Sequence, residues 1–131
     1  MLKTDLTHSE LFKSLVDIKI GTDYLDFHND YYCTKVSYLG RIVRICFDSS
    51  NPDRLYKKVV IKFKEAELIK MSLPLQQGSL DKITLDTFYR GRFEIDGNLK
   101  EYSETGKGYY YISFDEDYFI ELFSSEVAIL V

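Results

Sequence analysis

The stretch that decides the fold is Gly108-Tyr109-Tyr110-Tyr111-Ile112-Ser113-Phe114-Asp115-Glu116-Asp117-Tyr118-Phe119-Ile120-Glu121-Leu122-Phe123. Tyr110, Ile112 and Phe114 alternate with Tyr109, Tyr111 and Ser113. Past an acidic break, Tyr118, Ile120 and Leu122 alternate with Phe119, Glu121 and Phe123. A period of two in aromatic and β-branched residues is the signature of a strand. A three-residue loop, Asp115-Glu116-Asp117, sets Phe114 opposite Tyr118, Ile112 opposite Ile120 and Tyr110 opposite Leu122, giving one continuous apolar face. A loop one residue longer would put Ile112 against Glu121 and mix the faces, which a buried sheet resists. Such hairpins usually need a left-handed residue, and Asp117 tolerates that conformation, though less well than Gly.

The other face of the hairpin carries Tyr109, Tyr111, Ser113, Phe119, Glu121 and Phe123. It is amphipathic rather than polar. Either a further layer covers it, or it is a surface for a partner, since clustered Tyr and Phe suit interfaces. The candidate protein-binding residues are Tyr109, Tyr111, Asp115, Glu116, Asp117 and Glu121.

With 131 residues, the natural expectation is a single domain spanning 1–131. A chain of this length buries about two thirds of its unfolded surface and needs no staples. Hydrophobic content of 45% and aromatic content of 15% argue against disorder. Met1-Leu2-Lys3-Thr4-Asp5 turns polar at once, so no secretory leader is read. The longest apolar run, Val127–Val131, is too short to span a bilayer. A cytoplasmic protein with no membrane partner is expected.

Seventeen basic against 21 acidic side chains leave a net charge of −4. Residues 101–131 hold the acids Glu101, Glu104, Asp115, Glu116, Asp117, Glu121 and Glu126 against Lys107 alone. An acidic C-terminal third repels nucleic acid and attracts basic proteins.

Taken in order, the chain opens on a helix signal. Thr7 is a good N-cap, Glu10 completes a capping box, and Leu6 with Leu11 forms a hydrophobic staple. Leu11, Phe12, Leu15 and Val16 share one helical stripe, which Gly21 ends. An N-terminal amphipathic helix covering one face of the sheet follows. Tyr24–His28 reads as a short strand with Leu25 and Phe27 on one side. Tyr31–Phe47 reads as a second hairpin about Leu39-Gly40, with Val36 opposite Val43. That register places Tyr32, Thr34, Val36 and Tyr38 on one face. It sets Cys33 against Cys46 and Lys35 against Arg44. Two reduced thiols are expected in a reducing compartment.

Val59, Ile61 and Phe63 alternate with Lys58, Lys62 and Lys64. Glu65-Ala66-Glu67 breaks the pattern before Ile69, Met71 and Leu73 resume it. Gln76-Gln77-Gly78-Ser79 reads as a loop. Ile83, Leu85 and Thr87 alternate, a bulge falls at Gly91, and Asp96-Gly97-Asn98 makes a turn. Val127–Val131 is the last strand. The fold class is therefore α+β, mostly β: an antiparallel sheet curled into a sandwich or partial barrel, with one N-terminal helix.

No catalytic set stands out. His8 and His28 lie apart from any nucleophile pattern, Cys33 and Cys46 lack metal-ligand spacing, and no glycine-rich phosphate loop is present. Neither a cofactor nor a metal is expected. Lys58, Lys62 and Lys64, with Arg41, Arg44, Arg90 and Arg92, are the one basic row. Net acidity and the lack of a known motif argue against nucleic-acid binding.

Val59–Ser72, then Phe88-Tyr89-Arg90-Gly91-Arg92-Phe93, then Tyr109–Phe114, resemble in their alternation the small β-rich immunity proteins of bacterial polymorphic toxin systems. The resemblance covers about half the chain. It implies a compact cytoplasmic, non-enzymatic domain that binds a toxin and blocks it. The acidic, Tyr-rich surface would then suit a basic toxin. Two other readings stay open: a small-molecule-binding β-barrel lined by the aromatic residues, and an enzyme with no recognisable motif.

Overall fold

Strand alternation governs most of the chain. The structure, a computed structural model, describes residues 2–73 and 83–131. Its strands are β1 (Lys3–Asp5), β2 (Asp17–Ile20), β3 (Asp23–Asp26), β4 (Tyr31–Leu39), β5 (Ile42–Ser49), β6 (Lys58–Lys64) and β7 (Glu67–Ser72). They continue with β8 (Leu85–Gly91), β9 (Phe93–Ile95), β10 (Asn98–Lys100), β11 (Gly108–Phe114), β12 (Phe119–Ser124) and β13 (Glu126–Leu130). All pair antiparallel. A larger sheet has the order β1-β13-β6-β5-β4 and a smaller one β7-β12-β11-β8, with β2-β3 and β9-β10 as separate hairpins. The loop expected at Gln76–Ser79 lies outside the described residues.

The two sheets face each other. Phe63 of the larger sheet meets Phe88 and Tyr110 of the smaller one edge-on, with ring centroids 6.0 and 5.7 Å away. Val59, Ile61 and Phe63 are buried as their alternation requires, as are Val43, Ile45 and Phe47 opposite them. Among the described residues the sheets do not close into a barrel. They are joined at a corner where two ribbons cross together. β6 passes into β7 through Glu65, at φ 48°, and buried Ala66. β12 passes into β13 through Ser124 and Ser125. Ser124 Oγ donates to the Lys64 carbonyl at 2.7 Å, tying the crossings together.

The expected register of β11 and β12 is the one observed. Tyr110 opposes Leu122 and Ile112 opposes Ile120. Asp115–Asp117 forms one turn of 3-10 helix, and Asp117 takes φ 64°.

The expected N-terminal helix is absent; no α-helix occurs among the described residues. Thr7 does not cap a helix. Its hydroxyl donates to Asp5 Oδ1 and accepts from the Val127 amide at 3.0 Å. The following segment lies along the free edge of β8. Phe12 N donates to Arg90 O at 2.7 Å, Leu15 N donates to Phe88 O at 2.8 Å, and Leu11 bridges Arg90 in parallel sense. A helix this short is marginal on its own, whereas an open strand edge offers unpaired carbonyls. Long-range pairing overrides the local signal, and Leu6 and Leu15 reach the core without a helix. The stripe's end becomes β2, which pairs with β3 about Gly21.

The second hairpin is shifted by two residues from the expected register. Its turn is Gly40-Arg41, both at φ near 60°, as a two-residue type I′ turn requires. Val36 therefore opposes Ile45, Ser37 opposes Arg44, and Lys35 opposes Cys46. An even shift keeps Val43, Ile45 and Phe47 facing inward. A bulge at Thr34 then reverses the parity of β4, so Tyr31 and Cys33 are buried instead of Tyr32 and Thr34. Cys33 opposes Phe47, and both thiols are free.

Candidate functional site

The outer face of the smaller sheet is where aromatic side chains exceed what the core uses. Strand alternation turns Tyr109, Tyr111 and Ser113 of β11 outward with Phe119, Glu121 and Phe123 of β12. Tyr89 of β8 joins them opposite Tyr111. The rings form two connected rows. Phe12 packs on Tyr89 at 5.7 Å, Tyr89 on Tyr111 at 5.6 Å, and Tyr111 stacks on Phe119 at 6.3 Å. In the second row Phe93 meets Tyr109 at 5.9 Å and Phe123 at 4.7 Å.

Glu121 stands between the rows, directly opposite Tyr111. Burial, then the Glu121 charge, pushes the Tyr109 phenol well above its ordinary value. Burial, with smaller contributions from Tyr111 and Glu121, raises Tyr89. These phenols stay protonated at neutral pH, and Lys70 of β7 stands across from Glu121 on the side away from Tyr111.

The β9–β10 hairpin stands beside this face. Phe93 and Phe123 line two open grooves, one of about 400 Å³ with Ile69, Ile95 and Glu121, the other of about 450 Å³ with Tyr102 and Lys100. Exposed apolar side chains line them: Ile69 at 43% and Ile95 at 46%.

The six residues singled out from the sequence do not form one patch. Tyr111 and Glu121 are half-buried at its centre. Tyr109 is buried, at 8% exposure, with Phe93 against its ring. Asp115, Glu116 and Asp117 lie at the turn that ends the same two strands, beyond Ser113 and Phe119. Asp115 is tied down, its carboxylate accepting from the Thr84 amide at 2.8 Å. Tyr89, Phe93 and Phe12 complete the face and are not evident from the sequence. A bulge at Asp86 turns Phe88 inward and Tyr89 outward, against the simple alternation of Ile83, Leu85 and Thr87. Phe12 arrives by long-range pairing.

Neither a scan of protein-family models, a search of curated proteins, nor a search of solved structures finds a match to this chain. The site is therefore read from its own chemistry.

His28 Nδ1 lies 3.0 Å from the Leu85 carbonyl, and His8 is exposed. Burial pushes the Cys33 thiol up to about 12 and raises Cys46 as well, so neither thiol is a ready nucleophile. Among the described residues no three His, Cys, Asp or Glu side chains gather in a way that would hold a metal.

The opposite face of the molecule differs in charge. On the larger sheet Arg44 stands directly across from Lys62, with Lys58 and Lys64 on the same outer side. The two outer faces thus differ: basic side chains on one, clustered aromatic rings on the other.

Proposed function

We propose that this chain is a non-enzymatic protein-binding domain that docks a basic partner on the outer face of its smaller sheet. The observation that carries this reading is the ring ladder Phe12-Tyr89-Tyr111-Phe119, half-open to solvent and set around Glu121. Aromatic side chains give large contact area at low entropic cost, and interface hot spots favour Tyr. The acidic turn Asp115-Glu116-Asp117 at the ladder's end supplies steering toward positive charge. The basic face of the larger sheet would turn the same partner away.

The strand pattern shared with immunity proteins of bacterial toxin systems supports a narrower form of the proposal. The partner would be a cationic toxin, neutralised in the cytoplasm of a bacterium by having its working surface covered.

The test is kinetic. The immobilised chain captures a partner from the native cell, and association is then followed with the purified partner. Reversing Asp115, Glu116 and Asp117 to Lys should slow association about tenfold or more at low salt and much less at high salt. An unchanged association rate would contradict the assignment of the turn.

A further inference from the structure

Asp96-Gly97 is the one place in the chain where an Asp or Asn precedes a Gly. The two residues form the turn of the β9–β10 hairpin, with Ile95 paired to Asn98 across it. Both take positive φ, 50° and 79°, as a two-residue type I′ turn requires.

The surroundings leave this pair open to reaction with itself. Both residues are exposed, and among the described residues no hydrogen bond or ion pair holds the Asp96 carboxylate. The carboxylates of Asp5, Asp26 and Asp115, in contrast, each accept a backbone amide, at 2.9, 3.1 and 2.8 Å. Gly97 has no Cβ to shield its nitrogen, and beyond its chain neighbours nothing lies within 4 Å of where one would stand. The hairpin is also slight. Each strand has three residues, all of β10 is exposed, and neither strand pairs with the two main sheets. A lone two-stranded hairpin is marginal, so this one opens without unfolding the sandwich. Opening frees Asp96 from the turn conformation and lets its carboxyl swing onto the next nitrogen.

We propose that Asp96 is a site of spontaneous modification to isoaspartate. The Gly97 nitrogen attacks Cγ of the neutral Asp96 carboxyl. A Cγ–N bond forms, the nitrogen gives up its proton, and the carboxyl hydroxyl leaves as water, closing a succinimide. Water then adds to the Asp96 backbone carbonyl carbon, and the bond from that carbon to the nitrogen breaks. The nitrogen keeps the electron pair and takes back a proton. The chain now runs through the Asp96 side chain, and the old carbonyl is a free carboxylate. One water is released and one consumed, nothing is oxidised or reduced, and the mass is unchanged.

The product carries an extra methylene in the main chain of a turn that has only two residues. β9 and β10 can then no longer keep their register. Phe93 of β9, 4.7 Å from Phe123 and 5.9 Å from Tyr109, loses its place beside the aromatic face.

The experiment ages the full chain in neutral buffer and maps its peptides by chromatography and mass spectrometry. A second peptide of equal mass containing residue 96 should accumulate, faster than at any other Asp. Asp96→Asn keeps a preferred type I′ pair and closes the same ring with ammonia leaving, so it should convert faster. Asp96→Glu would need a larger ring and should not convert. In the aged chain the ring resonances of Phe93 and Tyr109 should move while that of Phe63, in the core, stays. No isomer at residue 96, equal conversion at Asp48-Ser49, an intact Asp96→Asn chain or unmoved Phe93 resonances would each overturn the proposal. Weaker partner binding by the aged chain would rest in addition on the function proposed above; the peptide map and the ring resonances involve no partner, so the two readings fail separately.

Discussion

Tyr111 on β11 and Glu121 on β12 stand directly opposite one another, with the Tyr89 ring 5.6 Å from Tyr111 on the neighbouring strand. Lys70 of β7 stands opposite Glu121 on its other side, so the carboxylate sits between a phenol ring and a cation. Tyr111→Ala should weaken partner binding by about 2 kcal/mol, roughly 30-fold, as a central aromatic anchor does. Glu121→Lys should weaken it further by repulsion. Surface plasmon resonance with the captured partner checks both, with urea unfolding to confirm that the variants remain folded.

Gly91 lies against the Tyr89 ring. A Cβ there would lie 2.6 Å from Tyr89 Cε2, too close for any real contact. Gly91→Ala should displace the Tyr89 ring and cost about 1–3 kcal/mol, as overpacking does. Urea unfolding measures the loss. Ring-current shifts on Tyr111 should report the displaced ring, and an unchanged spectrum would contradict the close approach.

The thiols are predicted to be free and unequal. Cys33 is fully buried with its thiol pushed up to about 12, whereas Cys46 is half-buried on the outer side of β5. Native protein should react with a maleimide slowly at Cys46 and not at Cys33 until it unfolds, as read by peptide mass spectrometry. Adding a reductant should leave the thermal midpoint unchanged.

Stability should show a plateau bounded on both sides. Lys107 Nζ donates to Glu67 at 2.7 Å and holds that carboxyl below its ordinary 4.5; the Lys3 hydrogen bond does the same for Glu126. Folded carboxyls with depressed values bind protons less readily than the unfolded chain. Their contribution is present above pH 4.5 and lost as pH falls through the lower folded values. Burial raises Tyr31 and Tyr110 to about 12, so their contribution is full below pH 10.0 and lost as pH climbs toward 12. Urea midpoints measured across pH should fall at both ends. Lys107→Met should make the acid limb shallower.

The sequence showed the β11–β12 hairpin completely, because a three-residue acidic loop and strict alternation allow one register only. It also showed the inward rows of β5 and β6. The second hairpin slipped by two because Arg41 gives no sign in its chemistry of accepting a left-handed backbone. The bulges at Thr34 and Asp86 were hidden for a related reason, since a bulge depends on the partner strand. The false helix had sound local signals, and an unpaired edge of β8 outweighed them. For the site, Tyr111 and Glu121 were legible from alternation. Tyr89 was not, because it faces outward only through the Asp86 bulge, and Phe12 reaches the face only through edge pairing.

Hydrogen–deuterium exchange of the chain, alone and saturated with its captured partner, tests the docking account most directly. The account predicts that added protection falls on residues 109–123 and 89–95, with little change on 42–64. Protection concentrated instead on 42–64, over the basic face of the larger sheet, would contradict it.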